Sequence, residues 1–276
     1  MISNLYIYSE PRCAGLAFTD VADYVAELLP RSAVQLRGPL LESKVEGGEK
    51  DSSLLDEIAE SLAKAKVRDL LQSVPSDQQA LAGEVAYERR RLANQSSVVY
   101  GLMYDAYAYS GLCHALIPQA EAGFDQLHIV FTNQLIGTRD PADRRYHART
   151  VLCGSPSIIS ISGLVDAPAR SPEYYIALRG AEALGLGEES KLELASSFAD
   201  DCLSYDDQRM TEVVKGYAMQ AIAYRLSGEA FCSDPKCRLF NAHWQKELLK
   251  AQLGEGPDFC SEHEELFQRL SKDGVS

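Results

Sequence analysis

The sequence predicts an α/β (α+β) fold: a mixed sheet with a long central helix, followed by a small C-terminal subdomain. Three observations carry this reading. Residues 5–36 run strand, helix, strand; three strand candidates crowd between residues 127 and 161; and one broad apolar stripe runs from Val213 to Leu226.

Residues 5–8 are a short apolar strand, and residues 18–29 carry the stripe Val21, Val25, Leu28 and Leu29 before Pro30 closes the helix. A second short strand is expected over residues 34–36. Residues 42–53 are polar with paired glycines and predict a loop. Residues 54–71 have near-helical apolar spacing, and residues 77–93 form a further helix whose Arg89-Arg90-Arg91 run is expected on a solvated face. Residues 98–117 include Tyr100, Tyr104, Tyr107 and Tyr109, which bring apolar area with hydroxyls in need of partners. That suits core near the rim of a cleft, or a surface for an oligomer.

From Leu127 the pattern changes. Residues 127–131, 145–152 and 157–161 read as strands of the main sheet, which divides the chain into an N-terminal α/β region, 1–120, and a second domain, 121–276. Pro172 opens a helix reaching Leu184, and residues 192–198 form a shorter one. The longest helix starts at Asp206 and Asp207, whose carboxylates suit the unpaired N–H groups there, and ends at Gly228.

Composition narrows the function classes. With 27 basic against 40 acidic residues the net charge is −13, which disfavours nucleic acid and anionic lipid as partners. No apolar run is long enough to span a membrane and no basic flank precedes one near Met1, so a cytoplasmic protein is expected. Seven cysteines, three of them crowded near one histidine, fit metal ligation better than a disulfide framework. Cys13, Cys113, Cys153 and Cys202 are scattered and read as small buried hydrophobes.

The crowded cysteines are Cys232 and Cys237, four residues between them, then Cys260 followed closely by His263. Two close pairs separated by a spacer fold back to give four tetrahedral positions, and soft thiolates favour Zn2+. A site closed by four protein ligands leaves no place for water, so one structural zinc is expected. His243, in Asn241-Ala-His-Trp244, is the competing fourth ligand.

This segment resembles the archaemetzincins, zinc metallopeptidases of the metzincin clan, and an uncharacterised archaeal family described as metallopeptidase-like. In archaemetzincins a long helix carries two histidines and a glutamate, then come a glycine, a third histidine and at once a cysteine. A second cysteine stands five residues later, and a closing pair completes a structural zinc. Here Gly228, Cys232, Cys237, and Cys260 with His263 occupy the corresponding places. Ile129-Val130-Phe131-Thr132-Asn133 and the stretch from Gly154 are also similar to the opening strands of that catalytic domain, and the likeness covers about residues 125–270. It implies a metzincin-like sheet and a C-terminal structural zinc subdomain. The catalytic positions depart from the pattern: the helix histidines fall on Ala221 and Arg225, the glutamate on Ile222, the third histidine on Phe231, and the methionine beneath the metal on Leu239. None of these side chains holds zinc or takes a proton from water.

The expected function is therefore that of a zinc-binding metzincin-like pseudoenzyme whose cleft binds a peptide or a small anion. Two alternatives stand beside it. One is a hydrolase with a non-standard site drawn from His147, Glu173 or His243. The other is an anion- or partner-binding protein, in which Arg145, His147 and Arg149 share one face of a strand and present guanidinium forks to a carboxylate or phosphate.

Overall fold

The computed structural model describes residues 2–10, 15–41, 52–75, 77–94 and 101–272. Cys13, Tyr100 and residues 42–51 of the loop expected over 42–53 lie outside them, while Ser52 and Ser53 open a helix. Leu5 and Ile7 point to one side of strand β1 (Asn4–Tyr8) and Tyr6 and Tyr8 to the other, yet all four are buried. A strand hidden on both faces belongs inside a sheet covered on both sides. Helix α1 (Phe18–Leu28) connects it to β2 (Ala33–Arg37), and β4 (Gln126–Thr132) pairs with its other edge. With β7 (Val151–Leu152) and β8 (Ser157–Ser160) the sheet order is β2-β1-β4-β8-β7; β7 is antiparallel to β8 and forms one edge. Strands from both sides of residue 120 thus share this sheet.

The alternation of side chains sets two cores. Leu5, Ile7, Leu127, Ile129 and Phe131 pack against α1 and a long helix, α8 (Met210–Ser227). Tyr6, Tyr8, Val130 and Ile158 pack on the other face against α2 (Ser52–Ala65) and the helix α4 (Ala106–Leu116). Between these lie α3 (Ala82–Ala93) and β3 (Met103–Asp105). A second sheet, β3-β5-β6, adds β5 (Leu135–Asp140) and β6 (Arg145–Arg149). Helices α5 (Ile161–Asp166), α6 (Pro172–Ala183) and α7 (Glu188–Ser196) lead to α8, and α9 (Gln245–Leu253) and α10 (Ser261–Lys272) close the chain. Among the described residues no helix is long and apolar enough to cross a membrane.

Several elements depart from the sequence reading. The strand expected over residues 145–152 is two strands in different sheets, broken at Thr150, whose carbonyl accepts the Ser160 N–H at 2.9 Å. Close packing enforces the break: a Cβ on Gly163 of α5 would sit 2.1 Å from the Arg149 carbonyl oxygen. The helix expected to reach residue 71 stops at Ala65, because Lys66 bridges to Tyr104 and buries its ammonium against Glu88. Arg91 is likewise not on a solvated face. Glu88, fully buried, receives Lys66 at 2.9 Å, Arg91 Nε at 2.8 Å and the Tyr104 hydroxyl at 2.8 Å.

Removing one member of a buried charge cluster strands the others without water or partner. Glu88→Ala is therefore expected to cost about 3–5 kcal/mol of unfolding free energy in denaturant titration. A loss below about 1 kcal/mol, as for a surface pair, would contradict the assignment.

Candidate metal centre and adjoining cleft

Helix α8 is buried almost all round, from Met210 to Ala223, because the sheet, α1 and α9 all pack on it. Its start differs from expectation. Asp207 accepts the Arg209 backbone N–H and holds the Arg209 guanidinium at 2.7 Å, so it braces the turn before the helix and caps no helical N–H. Its end is as expected: Gly228 adopts φ 81°, a left-handed conformation suited to glycine, and its N–H returns to the Tyr224 carbonyl.

Beyond Gly228 the chain folds into a tight knuckle. The Cys232 N–H donates to the Leu239 carbonyl at 2.8 Å, the Cys237 N–H to Asp234 at 3.1 Å, and the Asp234 N–H to the Cys232 sulfur at 3.3 Å. Cys260 stands immediately before α10, whose first turn carries His263, and the Glu264 N–H closes that turn on the Cys260 carbonyl. These two segments bring the sulfurs of Cys232, Cys237 and Cys260 and a ring nitrogen of His263 within 4.8 Å of one another. Cys232 Sγ lies 3.8 Å from Cys260 Sγ; Cys237 Sγ lies 3.8 Å from His263 Nδ1, and Cys260 Sγ 3.1 Å from the same nitrogen. A tetrahedron with Zn–S bonds of about 2.3 Å has edges of about 3.8 Å. The cysteines are free thiols, not a disulfide.

The donor set fits zinc in chemistry as well as spacing. Burial first, and then the neighbouring sulfurs, push the Cys237 thiol up to about 12, and burial also raises Cys232. Cys232 and Cys237 therefore resist ionisation until a cation arrives, and a divalent ion would supply that charge. The knuckle is tied to the main core independently of any metal. Arg238 pairs with Asp258 at 3.1 Å, Asp258 accepts the Tyr24 hydroxyl of α1 at 2.7 Å, and Gln252 of α9 donates to the Arg238 carbonyl at 2.8 Å.

The positions where the resembling enzymes bind a catalytic metal look quite different. Ala221, Ile222 and Leu239 are fully buried in the main core. Arg225 donates to the Phe124 carbonyl, with its guanidinium 5.7 Å from the Phe124 ring centre. Phe231 is 45% exposed and stands at the mouth of a cleft of about 450 Å³. That cleft is lined by Arg149, Val151 and Leu152 from the strands and by Tyr224, Phe231 and His243 from the end of α8 and the segment after it.

The remaining sequence candidates are dispersed. His263, not His243, joins the three cysteines; His243 is among the residues lining the cleft. Arg145 is exposed, and His147 is bound to Asp143 at 2.6 Å, so Arg149 alone of the three strand residues lines the cleft. Glu173 is exposed in the first turn of α6, its carboxyl held low by its own N–H and the Ser171 hydroxyl. Neither it nor Tyr174 and Tyr175 reaches the cleft. His128 is buried between the Tyr8 hydroxyl and the Glu121 carbonyl, while His114 is exposed beside the Ser155 carbonyl. Tyr224, one turn before Gly228 on the cleft side, was not singled out from sequence; in the stretch that was, around His147, the ligand atoms of Asp140, Asp143 and His147 lie within 4.8 Å at the β5–β6 turn. Of that trio Asp143 is exposed, and Asp140 and His147 are half-buried.

A family model described as "Probable metallopeptidase family (DUF6775)" matches residues 1–270. No curated protein and no solved structure matches the chain.

Protein purified without added metal is expected to carry about one zinc per chain. Cys237→Ala or His263→Ala should remove it and His243→Ala should not, as read by elemental analysis; zinc retained by both of the first two would refute the ligand set. Because thiols must lose protons to bind, zinc affinity should fall as pH falls, and a chelator should lower the thermal midpoint.

Proposed function

The chain belongs to the probable metallopeptidase family whose model spans it, and we propose that it is a pseudoenzyme of that family, with a structural zinc and a cleft that binds peptides without cleaving them. It is a metzincin-like metallopeptidase homologue without the catalytic zinc motif. One observation carries the reading: Ala221, Ile222 and Arg225 stand where zinc chemistry needs two imidazoles and a carboxylate, while the nearby cysteine cluster has four ligands and no open position.

Peptide binding is supported by the edge strand. β7 is hydrogen-bonded to β8 on one side, its other edge is not paired by any described strand, and both of its residues line the cleft. Such an edge offers backbone donors and acceptors to an extended chain. Three thiols gathered for metal suit a reducing compartment, which favours the cytoplasm.

Incubation of the zinc-loaded protein with a mixed peptide pool, followed by mass spectrometry, is expected to give no new termini above a buffer control. Cleavage that a chelator abolishes and zinc restores would overturn the proposal. It would direct attention to a second ion, for which Asp140, Asp143 and His147 are the other ligand grouping among the described residues.

A further inference from the structure

Four arginines drawn partly or wholly out of water in this protein are met by a carboxylate, whereas others, such as Arg225 on the Phe124 carbonyl, are met by neutral groups. Arg37 meets Glu121 at 2.7 Å, Arg91 meets Glu88 at 2.8 Å, Arg209 meets Asp207 at 2.7 Å and Arg238 meets Asp258 at 3.1 Å. Arg149 is half-buried in the cleft wall, and its Nε donates to a neutral group, the Thr138 hydroxyl, at 2.7 Å. No carboxylate among the described residues forms an ion pair with it, although the chain has 40 acidic residues. The hydroxyl fixes one side of the guanidinium, and the close approach of Gly163 to the Arg149 carbonyl fixes the backbone beneath it. A pre-oriented guanidinium fork in a cleft is a receptor for a carboxylate.

Resting on the reading of the cleft as a peptide site, we infer that it recognises the free C-terminal carboxylate of a peptide and that Arg149 is the residue that binds it. The strand next door sets the direction. Arg149 lies two residues before Val151, at the N-terminal end of β7. A peptide added antiparallel to β7 therefore ends with its C-terminus beside Arg149. A parallel peptide brings its N-terminal ammonium there, against a like charge. Charge thus selects the antiparallel orientation.

The aromatic lining of the cleft selects the terminal side chain. Tyr107, Tyr224 and Phe231 line the cleft while 68%, 40% and 45% exposed. Aromatic surface left in water beside a carboxylate receptor favours an apolar or aromatic C-terminal residue. The volume of about 450 Å³ lies within the range of small-ligand pockets and holds the last residues of a chain, not a folded domain.

The test is calorimetric titration of the full-length zinc-loaded protein with N-acetylated Ala-Ala-Ala-Phe, once as the free acid and once as the C-terminal amide. The free acid is expected to bind at least about tenfold more tightly, a charge-assisted pair being the difference. In Arg149→Gln the two forms should bind within about twofold of each other, and Arg149→Lys should restore part of the preference. Equal affinity of acid and amide for the native protein overturns the carboxylate assignment and leaves the peptide cleft standing. A preference that survives in Arg149→Gln overturns the role of Arg149, and failure of both peptides to bind overturns this inference together with the reading it rests on.

Discussion

Three sulfurs and one imidazole, drawn within 4.8 Å of one another, are the constraint on which the C-terminal third of the molecule depends. Gathering thiols out of water costs free energy unless an ion compensates them, and burial has already pushed Cys237 up to about 12. An ion reverses that cost and joins the knuckle after α8 to the first turn of α10. The segment between them contains one short helix, α9, packed in the main core, so an ion here would add a second tie to chain already held by packing. Arg238, Asp258 and Tyr24 then carry the fixed knuckle onto α1. The path from cysteine spacing to fold is short and physical.

That division of labour explains how a metallopeptidase relative persists without its catalytic metal. Zinc-binding histidines on α8 would be held in place by the ion; of the two corresponding residues, Ala221 is held by the main core, as is Ile222 in the place of the glutamate, and Arg225 bonds the Phe124 carbonyl. The helix needs no ion to stay where it is, since it is buried along most of its length. The cleft survives because its walls belong to the sheet edge and to the turn after Gly228, and both are set by backbone pairing and packing. Four side chains, Ala221, Ile222, Arg225 and Phe231, lack the groups that chemistry needs, whereas the shape rests on the packed core and the strand pairing.

Much of this was legible in the sequence, and the parts that were not have identifiable causes. The zinc ligands were readable because thiolate pairs near a histidine have few other uses in such a chain. The long helix was readable because its apolar stripe is broad and Gly228 ends it. Strand β5 was missed: Gly137, Thr138, Arg139 and Asp140 hide its alternation, and it is recognisable only once β3 and β6 flank it. The split between β6 and β7 was missed because periodicity runs through Thr150 unbroken, whereas the break comes from a long-range contact with Gly163. Arg91 misled for a similar reason. A triple-arginine run reads as solvent-facing, and only the tertiary fold puts Glu88 and Tyr104 around the last of them. The cleft residues were half visible: Arg149 stood out by its charge, but Arg145 and His147 shared its strand face without sharing its surroundings.

The measurement that bears most directly on the whole account is an anomalous difference map from native crystals, recorded on either side of the zinc absorption edge. The account predicts one strong peak per chain, among Cys232, Cys237, Cys260 and His263, and no peak beside Ala221, Arg225 and Phe231. A map with nothing between those four residues, or with a zinc bound in the cleft, would contradict it.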